Sequence, residues 1–212
     1  MSEDVMLEVG DSAYPGRLNT AEESSDRGVL VVPGAGHGPF GDVFLRFSRT
    51  AAEEGHHVAR FETWMSPGEL ESKTEEDFRA ELEAGVDFLR SRGCSTITVV
   101  AKSFGGRVAL EHLPEGVDRL VLWAPAVLAE DAEDVPEEAW EHLPSVTPGD
   151  FAVDVPTRIL QGDDDNIPVD SAERIAEGLP QGELVILPGE DHSFLRDHER
   201  VIEETVAFLD GS

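Results

Sequence analysis

From Gly28 onward, short apolar runs alternate with segments of helical periodicity. Gly28-Val29-Leu30-Val31-Val32-Pro33 is continuously apolar and opens into glycine-rich sequence, which predicts a buried parallel strand entering a loop. Asp42 to Glu54 sets Val43, Phe44, Phe47 and Ala51 at helical spacing, with Asp42 as the expected N-cap and Gly55 as the stop. His57-Val58-Ala59-Arg60-Phe61 reads as a second strand, followed by a polar loop to about Lys73. Thr74 with Asp77 forms a capping-box pattern, and Phe78, Leu82, Val86 and Leu89 make the apolar stripe of the helix it opens, stopped by Gly93. Thr96 to Ala101 is β-branched and predicts a strand, with a helix from Phe104 to about His112 behind it. Strands are expected at Arg119 to Trp123, Thr157 to Gln161 and Glu183 to Leu187, and helices near Ser171 to Glu177 and from His198 to Leu209.

This alternation predicts an α/β fold: a mainly parallel, doubly wound sheet with helices on both faces. In such sheets, ligands bind outside the carboxyl ends of the strands. The segment Ala124 to Asp154 breaks the rhythm with prolines and acids, and reads as a loop-rich excursion near that edge, with a short helix near Glu137 to His142. The chain, 1–212, is read as one domain, a length at which most apolar surface is buried.

Charge changes the picture of partners. The chain carries 45 acidic and 16 basic residues, a formal net charge of −29, and its only lysines are Lys73 and Lys102. Such a field disfavours nucleic acid and anionic membranes as partners. An acidic, lysine-poor surface resembles proteins of halophilic archaea, where high ionic strength screens the self-repulsion. No apolar run approaches a membrane span, the start Met1-Ser2-Glu3-Asp4 lacks the features of a signal peptide, and the single Cys94 has no partner for a disulfide; the expected location is cytoplasmic.

Four segments carry candidate chemistry, each just after a predicted strand. Ala101-Lys102-Ser103-Phe104-Gly105-Gly106 fits a nucleophile elbow, a sharp strand-to-helix turn that lifts a serine hydroxyl above the sheet edge. Small residues two before and two after the serine let the backbones approach; Ala101 stands where glycine is usual. A serine before a helix is also simply an N-cap. Gln161-Gly162-Asp163-Asp164-Asp165-Asn166-Ile167-Pro168 offers three adjacent carboxylates, any of which is placed to orient a histidine; a solvated turn is the plainer reading, and the spacing of an EF-hand is missing. Asp191-His192 offers an imidazole on a loop at the same edge. The remaining histidines, including His56, His57, His112, His142 and His198, read as structural or solvated. Pro33-Gly34-Ala35-Gly36-His37-Gly38 can turn backbone amides toward a pocket; it is neither a phosphate loop nor a dinucleotide fingerprint, whose third glycine would fall on Pro39.

Glycine-rich loop, serine, acid and histidine follow one another in the order that the hydrolase fold requires. With these residues the chain resembles the α/β hydrolases from about Gly28 to Leu209. Val29 to Phe44 with Arg60-Phe61 resembles the small dienelactone-hydrolase-like group, including its compact branch related to an acetyltransferase regulatory-complex subunit and the testis-expressed hydrolase-like proteins. That group's pattern of glycine, aspartate and proline matches Gly162, Asp165 and Pro168, so the resemblance implies Asp165 as the acid; its Asp-His matches Asp191-His192. Pro33-Gly34 departs from the group's His-Gly. Dienelactone hydrolases use a cysteine nucleophile where this chain has Ser103, so that activity is not implied.

The function expected is a serine hydrolase cleaving a carboxylic ester or thioester, with Ser103, Asp165 and His192 catalytic and the amides of Ala35 and Phe104 as the oxyanion hole. The expected partner is a small-molecule substrate, with no cofactor and no metal. A catalytically weak binding or scaffold module is the alternative, and peptide-bond cleavage would share the mechanism. Phe40, Trp64, Trp123 and Trp140 are candidates for an apolar acyl pocket, or for the core. The cap over the site is expected to be minimal.

Overall fold

A computed structural model, which describes residues 2–36, 38–133 and 143–211, is organised around one eight-stranded sheet. Its strands are β1 (Ser2–Val9), β2 (Ser12–Asn19), β3 (Arg27–Val32), β4 (His57–Phe61), β5 (Thr96–Lys102), β6 (Arg119–Trp123), β9 (Thr157–Gly162) and β10 (Gly182–Leu187), in the order β1-β2-β4-β3-β5-β6-β9-β10. The six strands from β4 to β10 in that order run parallel, and the β1–β2 hairpin joins antiparallel at the β4 edge. A short parallel pair, β7 (Leu128–Ala129) with β8 (Ser145–Val146), forms separately.

The helices are α1 (Asp42–Glu53), α2 (Pro67–Leu70), α3 (Glu75–Ser91), α4 (Phe104–His112), α5 (Val169–Gly178) and α6 (His198–Leu209). Successive side chains of a strand point to opposite faces, and the core divides accordingly. Leu30, Val32, Ile97, Val99 and Ala101 pack with the apolar stripes of α3, α4 and α5, whereas Val29, Val31 and Val100 pack with those of α1 and α6. A mainly parallel sheet sandwiched between two helical layers is a doubly wound α/β architecture.

Local sequence explains most element ends. Thr74 Oγ1 accepts the Asp77 N–H at 3.3 Å while the Asp77 carboxylate accepts the Thr74 N–H at 2.7 Å, completing the capping box. Gly55 and Gly93 adopt φ of +88° and +93° just past α1 and α3, conformations open to glycine at little cost.

Several expectations need correction. Asp42 is the first residue of α1, not its cap; Gly41 takes that place, and the Asp42 carboxylate bonds Arg46 Nε at 3.0 Å instead. The polar loop before Lys73 contains α2, capped by Ser66. The β1–β2 hairpin was not anticipated at all. Pro15 and Gly16 argue against a strand in β2, yet a Cβ on Gly16 would lie 2.3 Å from Phe61 Cδ1, so glycine is what lets β2 approach β4. The helix expected near Glu137 to His142 lies outside the described residues. No helix among the described residues is long and apolar enough to cross a membrane.

Candidate active site

β5 ends at Lys102, and the chain reverses into α4 through Ser103, whose φ of 52° and ψ of −119° are strained for a non-glycine residue. The turn is held from both sides. The Ser103 N–H donates to the Trp123 carbonyl at 2.9 Å, and the Ser103 carbonyl accepts from Gly106, Arg107 and Ala126. A Cβ on Gly105 would lie 2.4 Å from the Pro33 carbonyl oxygen, so the elbow packs against the glycine-rich loop only because that position is bare. The Ser103 hydroxyl caps nothing; it lies 2.9 Å from His192 Nε2.

On the other side of the imidazole, Nδ1 lies 3.0 and 3.2 Å from the two oxygens of Asp165. The Asp165 side chain is fully buried, and its oxygens also accept the Ile167 N–H and the Gln161 amide, both at 2.9 Å. Its two neighbours face elsewhere: Asp163 accepts the Gly189 N–H, and Asp164 pairs with Arg196 at 2.7 Å in solvent. Geometry thus separates three adjacent carboxylates that composition left equivalent.

Gly34 and Ala35 run beside the serine, close enough that a Cβ on Gly34 would lie 3.2 Å from Ser103 Cβ. Trp64 Nε1 donates to the Gly34 carbonyl at 3.0 Å and so fixes this loop. Phe104 is the first residue of α4, and its N–H has no carbonyl one turn earlier to bond. A cavity of about 400 Å³ opens in front of Ser103 and His192, walled by the glycine-rich loop, Val43, Phe44 and Leu195. Its size falls at the lower end of the range typical of small-molecule sites.

Of the two readings of the aromatic candidates, the core is the one found for Trp64 and Trp123. Trp64 and Trp123 are buried core residues, Trp123 stacked on Phe44 at 5.5 Å and bonded through Nε1 to Thr205; Phe40 lies under Arg17 and Arg60, and Trp140 is outside the described residues. Among the described residues, Phe44 is the one phenylalanine, tyrosine or tryptophan at the cavity wall.

Two residues were passed over in the sequence. His198, read as structural, borders the cavity, 3.7 Å from the Asp42 carboxylate. Lys102 also borders it: its ammonium donates to the His192 carbonyl at 2.7 Å and lies 5.5 Å from the centre of the Phe194 ring. Burial pushes the Lys102 ammonium down to about 8, against the opposing pull of Asp165 and Asp191. A lysine beside the elbow serine, in a chain with only two, was the available signal.

The other described histidines stand away from the serine. His56 bonds Asp210, His57 lies between the Ala21 N–H and the Ser25 carbonyl, and His112 pairs with Glu75; His37 and His142 are outside the described residues. Among the described residues, one group could hold a metal, Glu75, Glu111 and His112, at the end of α4 remote from Ser103. Arg107 already engages Glu111 there at 3.0 Å.

No protein-family model matches the chain, and neither does any curated protein. Solved structures do match it. Est1E from Butyrivibrio proteoclasticus superimposes with a TM-score of 0.77 at 15% identity, over 97% of both chains. Dienelactone hydrolase from Anabaena variabilis gives 0.75 at 18% identity, over 98% of this chain and 95% of its own. The Pyrococcus furiosus esterase Pf2001 gives 0.69 at 17% identity, over 99% of this chain and 90% of its own. At these identities the likeness establishes the α/β-hydrolase fold.

Proposed function

We propose that the chain is a serine hydrolase that cleaves a carboxylic ester or thioester of a small molecule through an acyl-enzyme on Ser103. The single observation that carries this reading is the continuous line from the Ser103 hydroxyl through His192 to Asp165, with hydrogen-bond distances of 2.9 and 3.0 Å. Asp165 accepts the Nδ1–H and fixes the tautomer, which leaves Nε2 free to take the serine proton. Attack on the substrate carbonyl forms a tetrahedral oxyanion, and the amides of Ala35 and Phe104 are the groups assigned to stabilise it. The imidazolium then protonates the departing alkoxide or thiolate. A water deprotonated by His192 releases the acid and restores Ser103.

The esterases and dienelactone hydrolase that share the fold support the ester class. The shape of the cavity, walled by bare glycines, Val43, Phe44 and Leu195, favours an acyl group of modest size with little charge. The net charge of −29 supports work in concentrated salt, as in a halophile.

A panel of p-nitrophenyl esters of increasing chain length, assayed in high salt, tests the proposal. Turnover is expected for short to medium chains, with Ser103→Ala lowering kcat/KM on the order of 10⁴-fold or more at unchanged Tm. Equal turnover by the Ser103→Ala protein would overturn the assignment, and no turnover of any ester or thioester would favour a binding module instead.

A further inference from the structure

Among the described residues, only Ser103, Ala124 and Phe194 combine a side chain with positive φ, at 52°, 45° and 54°. All three surround the site. Ser103 carries the hydroxyl, Ala124 follows the Trp123 carbonyl that accepts the Ser103 N–H, and Phe194 lies two residues beyond His192. Backbone of this kind is costly and persists only where its surroundings hold it. The elbow's own hydrogen bonds hold Ser103. The histidine loop needs a different support.

Within the loop the bonds are local. Asp191 accepts the Ser193 N–H on its side chain at 2.9 Å and the Phe194 N–H on its carbonyl at 3.0 Å. The Glu190 carbonyl accepts the Asp164 N–H at 3.0 Å, and Asp165 grips the imidazole, so these ties run to the segment after β9. Ser103 directly follows β5, and β6 lies between β5 and β9. The distance between imidazole and hydroxyl therefore depends on a tie from the loop to β5. Lys102, the last residue of β5, makes it. Its ammonium bonds the His192 carbonyl at 2.7 Å and stands over the fully buried ring of Phe194, the residue with positive φ two positions on.

Resting on the serine-hydrolase reading above, we propose that Lys102 is a positioning residue, anchoring the His192 backbone to the strand that carries Ser103 and so setting the approach of Nε2 to the hydroxyl. A cation is suited to this place for two reasons. A charged donor makes a bond to a carbonyl about twice as strong as a neutral one. Asp165 and Asp191 also lie near enough to offset part of the cost of its burial. Lys102 acts through His192, so its loss should slow chemistry and leave substrate binding nearly unchanged.

The test compares Lys102→Met, which keeps the apolar stem and loses the donor, in the parent and in a His192→Ala background. Hydrolysis of p-nitrophenyl butyrate in high salt gives kcat and KM, and a fluorophosphonate probe gives the labelling rate of Ser103. In the parent background kcat and the labelling rate should both fall on the order of 10- to 100-fold, the scale of a small misplacement of a catalytic group, with KM held within about twofold. In the His192→Ala background the same substitution should change the residual rate by less than about twofold, because the group it positions is gone. An unchanged kcat, an equal fall in both backgrounds, or a rise in KM with kcat preserved would each overturn the proposal. Should Lys102→Met fail to fold, Lys102→Gln keeps a neutral side chain of similar reach and carries the same pair of comparisons. Failure of the parent to label at all would remove the hydrolase reading, whereas an unchanged ratio between variants removes only the role of Lys102.

Discussion

Two of the aspartate–histidine pairs among the described residues, His192 with Asp165 and His56 with Asp210, differ in their surroundings in a way that sets the candidate site apart from a structural link. In one, His192 Nδ1 lies 3.0 Å from Asp165; in the other, His56 Nε2 lies 3.3 Å from Asp210. The Asp210 oxygen that meets His56 also accepts Arg27 Nη1 at 2.6 Å, so the carboxylate charge is already matched by a cation. Burial, with Arg27 second, pushes the His56 pKa down, and the ring serves as a neutral link between the start of β4 and the end of α6. Asp165 is bonded instead by two neutral donors and the imidazole, with the Lys102 ammonium bonded to a carbonyl rather than to it. Its charge remains available to an imidazolium. The second nitrogen of His192 faces a hydroxyl at the wall of a cavity. On the proposed reading, a dyad is set apart by what lies beyond it, not by its own distance.

Matched substitutions give the largest contrast. Asp165→Asn should lower kcat for a p-nitrophenyl ester on the order of 10³- to 10⁴-fold, since the amide cannot fix the tautomer that leaves Nε2 free. Asp210→Asn should leave kcat at the parent value and lower stability by about 1 kcal/mol or less, as befits a half-exposed ion pair. Steady-state assays with chemical denaturation of both proteins check this. A comparable loss of activity in Asp210→Asn would erase the distinction.

A smaller effect concerns alkaline pH. Raising the pH through about 8 neutralises Lys102 in the folded protein, faced by Asp165, Asp191 and the His192 carbonyl, and weakens its bond to that carbonyl. Turnover should decline by a few-fold, roughly 2- to 5-fold, over that range, the difference between a charged and a neutral donor. In Lys102→Met this limb should be missing from the kcat–pH profile. An identical alkaline limb in both proteins would assign it to another group.

The smallest effect lies at the structural pair. The folded pKa of His56 is below its ordinary 6.5, so the unfolded chain binds more protons as the pH falls beneath that value. The stability associated with neutral, buried His56 is present above pH 6.5 and is lost as the pH drops toward the folded value. Arg27→Gln, which removes the largest charge opposing protonation, should raise the His56 pKa in an NMR titration and flatten that acid-side loss. A His56 resonance that titrates identically with and without Arg27 would contradict this account of the pair.

Much of this arrangement was legible in the sequence because parallel strands buried on both faces leave continuous apolar runs, and because the loops that follow them carry small, polar and reactive residues. The interior strands β3 to β6 and β9, and the placement of Ser103, Gly34 and His192 at strand ends, follow from that rule. What escaped depended on contacts across the chain. The β2 strand is hidden by Pro15 and Gly16, whose fitness is apparent only against Phe61. Trp123 and Trp64 look like pocket aromatics until strand alternation turns Trp123 beneath α1 and the loop after β4 packs Trp64 against Phe78 and Phe104. Residue type alone leaves Asp165 equal to its neighbours; the resemblance singles it out, and the contacts of Asp163 with Gly189 and of Asp164 with Arg196 agree with that choice. Lys102 escaped notice because its partner lies 90 residues away and is a backbone carbonyl, which leaves no trace in residue type.

The central claim is that one hydroxyl, activated by one imidazole, takes the acyl group. Peptide mapping by mass spectrometry after brief reaction with a fluorophosphonate tests it most directly. The account predicts a single adduct on Ser103 that forms rapidly in the parent and slows by orders of magnitude in His192→Ala. An adduct on another residue, or labelling of Ser103 at the same rate without the imidazole, would contradict it.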